Sequence, residues 1–117
     1  MNTATKQSIT PEEVIDIVCQ FYELDVDRVI KRNSVTGRHY RSAPYAKGRQ
    51  FICYWMFKNT YRSLSQIGAL MEGLNHSTVI HSINTVSDEM NLYSRYKSEI
   101  FALNQLIQEK ESNLVAA

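Results

Sequence analysis

The sequence contains little cysteine, proline or glycine, and it has no long hydrophobic run. Two cysteines, two prolines and four glycines occur among its 117 residues, and no internal repeat or low-complexity segment is present. The most apolar run, residues 51–57, is far shorter than the roughly 20 residues that a transmembrane helix needs. The N-terminus has no apolar segment of the kind found in secretory signals. We therefore expect a cytoplasmic protein that makes no membrane contact.

Neither the cysteines nor the histidines are spaced as a metal site. Cys19 and Cys53 lie in apolar runs without a nearby cysteine or histidine, so we expect small buried hydrophobic residues in a reducing compartment. His76 and His81 would lie about 140° apart on a helix, which is unsuitable for a shared metal. No acidic pair and no base beside a nucleophile is recognisable. The sequence therefore predicts no metal, no catalytic residue and no enzymatic activity.

Carboxylates are missing from the middle of the chain, where the cations are concentrated. Residues 28–71 contain no Asp or Glu but hold nine of the thirteen lysines and arginines. The formal net charge of +1 hides this, because six acids precede the stretch and six follow it. Such a stretch attracts polyanions, and the polar cluster Asn75-His76-Ser77-Thr78 follows it. Together they indicate a binder of double-stranded DNA. The alternative is a solvated basic surface without a partner.

Helical signals occur along the chain, and no strand pattern is present. Thr10-Pro11-Glu12-Glu13 is typical of a helix start, with Thr as the N-cap, Pro at the first helical position and Glu three residues after the cap. Near the middle of the chain, Gly73 is expected to end a helix with a positive φ angle. These signals predict that the fold is all-α.

The predicted fold has about six helices in a single domain. The domain is expected to cover residues 9–110, with flexible termini at 1–8 and 111–117. A central helix rich in large apolar side chains suits a well-buried position. The expected helices cover residues 11–22, 26–30, 46–58, 64–71, 77–90 and 96–110, and a basic loop is expected between 31 and 45.

The predicted helix that begins near residue 77 has two opposite faces. At 100° per residue its apolar side chains fall within about 60° of each other, and short polar side chains lie opposite. A buried face opposite a polar tip suits a recognition helix that enters the major groove. An amphipathic surface helix would look similar, with Asn75 serving only as its N-cap. The apolar face comprises Val79, Ile83, Val86 and Met90, and the polar face Ser77, His81, Asn84 and Asp88.

Residues 63–82 have the layout of a helix-turn-helix, with a short helix, a glycine-containing turn and a polar-tipped helix. The informative residues are Leu64, Ile67, Gly68, Gly73, the run His76-Ser77-Thr78-Val79-Ile80-His81 and, upstream, Lys47-Gly48-Arg49-Gln50. This pattern resembles the C-terminal DNA-binding domain of the bacterial replication initiator DnaA. That family has a similar leucine-x-x-isoleucine-glycine helix, a histidine-threonine-threonine-valine-leucine-histidine run, and an arginine-proline-arginine-glutamine start of its central helix. The resemblance covers about residues 9–107 and implies a DnaA domain IV-like fold with a central helix-turn-helix.

The resemblance also implies where this chain would contact DNA. In the family, the tip of the recognition helix contacts bases and phosphates, and an arginine of the basic loop enters the minor groove. The corresponding DNA-binding residues are Asn75, His76, Ser77, Thr78 and His81 on the recognition helix, Arg41 in the loop, and Lys47, Arg49 and Gln50 at the start of the central helix. Several positions depart from the family: Asn75 replaces an aspartate, Leu74 an arginine, Gly48 a proline and Phe57 a basic residue. An amide donates and accepts whereas an aspartate only accepts, so the preferred bases are expected to differ.

The expected function is sequence-specific binding of double-stranded DNA by a free-standing DnaA-like domain that regulates replication initiation or transcription. No Gly-x-x-x-x-Gly-Lys-Ser/Thr loop is present and only residues 1–8 precede the predicted domain, so we expect no ATPase domain, no nucleotide and no other cofactor. Two alternatives remain open. One is a helical protein-interaction module, whose protein partner would bind the C-terminal helix near Tyr93 and Tyr96. The other is a nonspecific DNA-binding accessory protein of a phage or mobile element.

Overall fold

All regular structure in the described residues is α-helical. The structure, a computed structural model, describes residues 9–116, and this part of the chain contains six α-helices and no strand. The all-α prediction is therefore confirmed, whereas the predicted flexible segment 1–8 lies outside the described residues. The helices are α1 (Pro11–Tyr22), α2 (Val26–Ile30), α3 (Ala43–Asn59), α4 (Leu64–Ala69), α5 (His76–Leu92) and α6 (Ser94–Ala116). None of these helices is both long enough and apolar enough to cross a membrane.

The first two helices begin where their capping residues predict. The Thr10 hydroxyl accepts a hydrogen bond from the Glu13 backbone N–H at 3.1 Å, and the Glu13 carboxylate accepts one from the Thr10 backbone N–H at 2.9 Å. This reciprocal pair satisfies two amides that have no partner inside the helix. Helix α2 starts in a similar way, because the Asp25 carboxylate accepts from the Asp27 backbone N–H at 3.0 Å.

The predicted limits of α3 and α6 are wrong by several residues. Helix α3 begins at Ala43 rather than at residue 46, since Pro44 lies in its first turn, where its missing N–H needs no partner. Helix α6 begins at Ser94 rather than at residue 96 and continues to Ala116. Residues 111–116, predicted to be flexible, are thus helical, because no glycine or proline interrupts this segment. Residue 117 lies outside the described part.

Helix α3 forms the centre of the fold, as its apolar composition predicts. It packs against α1, α2, α4 and α5. Both cysteines belong to this core, with Cys19 2% exposed and Cys53 fully buried, which confirms that they are buried hydrophobic residues. Burial raises the pKa of the Cys19 thiol to about 11 and that of the Cys53 thiol to about 12. The α3 side chains in the core are Phe51, Ile52, Cys53, Trp55 and Met56.

Helices α4 and α5 form the predicted helix-turn-helix, and the turn between them depends on two glycines. The carbonyl oxygen of Gly68 accepts hydrogen bonds from the backbone N–H groups of Met71, Gly73 and Leu74 at 3.0–3.1 Å. A Cβ at Gly68 would collide with the Leu74 carbonyl oxygen, so only glycine fits there. Gly73 has φ 78°, as predicted, and the preceding Glu72 has φ 52°. The chain thus reverses tightly just before α5.

Candidate nucleic-acid interface

The first turn of α5 presents a polar surface to solvent. The Asn75 side-chain oxygen accepts a hydrogen bond from the Thr78 backbone N–H at 2.8 Å, so Asn75 is the N-cap of the helix. The opposite face of α5 packs into the core through Val79, Ile83 and Val86. This burial confirms the two predicted faces. The exposed side chains on the other face are His76, Ser77, Thr78, His81, Asn84 and Asp88.

An open cleft of about 580 Å³ lies between α5, the start of α3 and the loop of residues 31–42, which we call the basic loop. Three arginines of the carboxylate-free stretch line it from the loop side. None of the described residues that line this cleft is acidic. The lining residues are Arg32, Arg38, His39, Arg41, Ala46, Arg49, Gln50, Leu74, Asn75, Thr78, His81 and Ser82. Of the predicted site residues, the structure therefore brings Arg41, Arg49, Gln50, Asn75, Thr78 and His81 to one cleft, whereas His76 and Ser77 do not line it.

Arg38 and Arg41 are exposed cations of this cleft, as is Arg32. Within the part of the chain that the structure describes, neither the Arg38 nor the Arg41 guanidinium makes a hydrogen bond or an ion pair with another residue. Gln50 lies half-buried on the α3 side of the same cleft. The loop and α3 thus offer two guanidinium groups and an amide to a ligand in the cleft.

Arg49, predicted as a DNA contact, is buried and bonded to backbone carbonyls in this structure. Its side chain is only 7% exposed, and its guanidinium donates to the backbone carbonyls of Arg28 at 3.3 Å and Val29 at 3.2 Å, and also to that of Tyr40. Burial lowers the pKa of this guanidinium from its ordinary value. These bonds connect α3 with the end of α2 and the basic loop, so Arg49 is a structural residue at the base of the cleft.

Lys47, whose contact with DNA stays a prediction, lies against α6 in this structure. Its ammonium group forms an ion pair with Glu99 of α6 at 3.1 Å and lies 4.9 Å from the ring centre of Tyr96. Lys47 follows the cleft residue Ala46 by about 100° around the helix, so its side chain points towards α6 instead. Of the three DNA contacts predicted within residues 47–50, Arg49 and Gln50 therefore line the cleft and Lys47 does not.

Two residues that support the cleft were not identified from the sequence. The Arg32 guanidinium donates to the carbonyls of Glu72 at 3.0 Å, Gly73 at 2.8 Å and Gly37 at 3.1 Å. His39 Nε2 lies 2.7 Å from the Met71 carbonyl oxygen, so that nitrogen carries the proton and donates. A basic residue in a carboxylate-free stretch has the same sequence signature whether it binds phosphate or backbone carbonyls. No sequence signal would have separated these roles.

A third unanticipated contact lies at the tip of the helix-turn-helix. Ser65 Oγ of α4 and His76 Nε2 of α5 are 2.6 Å apart, and both residues are exposed. This hydrogen bond joins the two helices at the surface and engages one ring nitrogen of His76. The imidazole therefore has a defined position beside the polar first turn of α5, and its Nδ1 atom is the nitrogen that remains for another partner.

The amino-acid sequence matches a family model described as the bacterial DnaA protein helix-turn-helix over residues 11–86. Related sequences are chromosomal replication initiator DnaA proteins. The identity is 31% over 103 residues for the protein of Chloroflexus aurantiacus, 29% over 105 residues for that of Herpetosiphon aurantiacus and 28% over 102 residues for that of Porphyromonas gingivalis. These alignments cover 88%, 90% and 87% of this chain and 20%, 21% and 20% of the relatives. The chain thus spans about a fifth of the length of the curated relatives it matches.

Proposed function

The chain belongs to the bacterial DnaA helix-turn-helix family, and from this premise we propose that it binds double-stranded DNA in the basic cleft. The observation that carries the proposal is the composition of this surface. Arg38 and Arg41 are exposed on one side, the polar first turn of α5 is exposed on the other, and none of the described lining residues is acidic. A cationic cleft attracts phosphates, and an exposed polar helix tip suits base edges in the major groove.

In the proposed mode of binding, the two sides of the cleft contact different parts of the DNA. The first turn of α5 enters the major groove, where His76, Ser77 and Thr78 contact bases or phosphates and His81 lies one turn further along. Arg41 of the basic loop reaches the phosphate backbone and the adjacent minor groove, and Gln50 contributes from α3 together with Arg38. Phosphate contacts set the position of the protein, and base contacts select the sequence.

The base preference is proposed to differ from that of the relatives because of Leu74 and Asn75. The Asn75 side-chain oxygen already accepts from the Thr78 backbone N–H, so its NH₂ group is the part available to a base. An NH₂ group donates to purine N7 or O6, whereas an aspartate accepts from cytosine N4. Leu74 offers an apolar side chain in place of an arginine. On this basis the domain regulates replication initiation or transcription from a DNA site of its own.

Selection from a pool of random duplexes at two salt concentrations tests the proposal. We expect one short motif to be enriched at both, with affinity that falls as salt rises because bound phosphates release counterions. Salt-dependent binding without enrichment would mean a nonspecific accessory protein. No binding at low salt would reject the DNA proposal and leave a protein-interaction module.

Two arginine substitutions provide matched variants for this experiment. Arg41→Ala removes an exposed cation of the cleft, and Arg95→Ala removes an exposed cation of α6 outside the cleft lining. We expect Arg41→Ala to weaken binding to every duplex and to reduce the slope of log affinity against log salt by about 0.9 for one lost phosphate contact. Arg95→Ala should leave that slope unchanged. Equal effects of both variants would show that the cleft is not the binding surface.

A further inference from the structure

We propose that Arg32 is a positioning residue that holds the basic loop against the turn of the helix-turn-helix, so that the loop and α5 meet DNA as one rigid unit. Arg32 lies at the start of the loop, 40 residues before the turn that it contacts. Its guanidinium donates to three carbonyls, those of Gly37 in the loop and of Glu72 and Gly73 in the turn. The side chain therefore joins both sides of the cleft directly. The inference rests on the proposed DNA binding.

The turn that Arg32 contacts has an unusual backbone. Glu72 and Gly73 both have positive φ angles, 52° and 78°, and a non-glycine residue rarely adopts this conformation. The same two residues supply carbonyl acceptors to Arg32 Nε and Nη2. In return, the Glu72 carboxylate accepts from the Arg32 backbone N–H at 2.7 Å. The turn that Arg32 contacts thus lies directly before α5, which starts at His76 and is held in place by burial of its opposite face.

The conformation of the basic loop depends mainly on polar contacts, which include the bond from Arg49 to the Tyr40 carbonyl. Within the described segment 31–42 no side chain is fully buried, so hydrophobic packing contributes little to its order. Internal hydrogen bonds close the tip of the loop, where the Asn33 backbone N–H donates to the Arg38 carbonyl at 2.8 Å. Its connection to the α4–α5 turn is made by Arg32 and by His39, whose ring donates to the Met71 carbonyl. These polar contacts set where Arg38 and Arg41 lie relative to Asn75.

Only arginine has the donor geometry for this role. The planar guanidinium directs N–H groups from three nitrogens in fixed directions, which matches three carbonyls on two separate segments. A lysine keeps the charge but presents one rotating ammonium group. Arg32→Lys therefore removes the loop-to-turn geometry while preserving the net charge. Lys31→Ala is the matched control, because Lys31 is exposed in the same loop and its side chain pairs with Asp27 of α2 at 3.8 Å.

Hydrogen exchange in the protein without DNA tests the positioning role independently of the proposed function. The backbone amides of Gly73 and Leu74, which donate to the Gly68 carbonyl, report on the turn. Loss of hydrogen bonds from a charged group corresponds to about ten- to a hundredfold faster local opening. We expect exchange of these two amides to accelerate by that factor in Arg32→Lys and to stay unchanged in Lys31→Ala, with equal far-UV circular dichroism. Unchanged exchange in Arg32→Lys would overturn the proposal.

DNA binding by the single and double variants tests the consequence. If Arg32 acts by positioning Arg41, Arg32→Lys should reduce the salt slope by about 0.9 although no charge is lost, and adding Arg41→Ala should weaken binding little further. The Arg32→Lys protein should still prefer the selected motif over a scrambled duplex, since α5 can still contact the bases. Independent, multiplicative effects of the two substitutions would overturn the coupling. If the wild-type protein binds no DNA, the proposed function fails, and the exchange measurement alone decides the role of Arg32 in the turn.

Discussion

The two sides of the cleft are held in place by different physical means. Helix α5 is fixed by burial, since Val79, Ile83 and Val86 pack into the core against α3. The basic loop is fixed by hydrogen bonds that Arg32 and Arg49 donate to backbone carbonyls. Burial depends on many weak contacts shared among several side chains, whereas each arginine holds several acceptors at once.

The difference shows that the cations of one basic stretch serve two purposes. Arg32 and Arg49 donate hydrogen bonds to backbone carbonyls of α2, the basic loop and the α4–α5 turn. Arg38 and Arg41 stay exposed beside them and give the cleft its positive surface. Substitutions of the first pair are expected to change stability or loop order, and substitutions of the second pair to change affinity for polyanions. The predictions below separate the two sides.

The largest effect is expected from the buried side of α5. Ile83→Ala removes a side chain that is 8% exposed and leaves a cavity, which typically costs about 2–5 kcal/mol of the free energy of unfolding. Urea denaturation followed by circular dichroism measures it. Asn84→Ala, on the exposed face of the same helix, is the control and should change stability by less than about 0.5 kcal/mol. Equal effects of the two would contradict the assigned faces.

The next largest loss of stability is expected from Arg49, at the base of the basic loop. Arg49→Ala leaves the carbonyls of Arg28, Val29 and Tyr40 without their donor, and we expect stability to fall by about 1–3 kcal/mol. Arg38→Ala removes the same charge from an exposed position and should leave the unfolding free energy within about 0.5 kcal/mol of the wild type. A stable Arg49→Ala protein with reduced affinity for DNA would instead support a direct phosphate contact at this position.

A smaller effect is expected at the tip of α5, where capping and base contact can be separated. Asn75→Ala removes the N-cap bond to Thr78 and should cost about 1 kcal/mol of stability. Asn75→Asp keeps an accepting oxygen and should retain stability, while it replaces the outward NH₂ group with an acceptor. Thermal unfolding measures the first effect, and duplex selection measures the second. An identical selected motif for Asn75→Asp would show that residue 75 serves only as a cap.

The smallest effect is expected on the pH dependence of stability, through His39 in the basic loop. Burial lowers the pKa of His39, with the nearby Arg49 and Arg32 cations acting in the same direction against the hydrogen bond to Met71. The stability that follows from the neutral ring is complete above the ordinary histidine pKa of about 6.5 and is lost as the pH falls through the lower folded-state pKa. His39→Gln can still donate to Met71 but does not titrate. As the pH is lowered from 7 to 5, the midpoint temperature of thermal unfolding should fall more steeply for the wild type than for this variant. Parallel changes of the two midpoints would contradict the role of His39.

Much of the fold could be predicted because its determinants are local. Thr10 and Asp25 mark helix starts through side-chain capping, and the spacing of Val79, Ile83 and Val86 identifies the buried face of α5. The early start of α3 was missed because a proline at the first turn of a helix resembles a proline in a loop. The burial of Arg49 was missed for a different reason, since its three acceptors are backbone atoms of residues 28, 29 and 40 and leave no trace in the sequence.

The candidate site was predictable in composition but not in arrangement. Asn75, Thr78 and the loop residue Arg41 line one exposed cleft, as the resemblance to the family implies. The ion pair of Lys47 with Glu99 depends on where α6 packs. Packing between helices that are distant in the sequence is a tertiary property, so no local pattern predicts it. The contacts of Arg32 with Glu72 and Gly73 join residues 40 and 41 positions apart, which no local pattern indicates.

A titration of the isotopically labelled protein with the selected duplex, followed by amide chemical shifts, tests most directly whether the basic cleft binds DNA. We expect the shift changes to concentrate in residues 33–42 of the loop and in residues 74–82 at the start of α5, with α1 and the second half of α6 little changed. Shift changes concentrated on α1 and α6, with the loop and the first turn of α5 unaffected, would contradict the proposal.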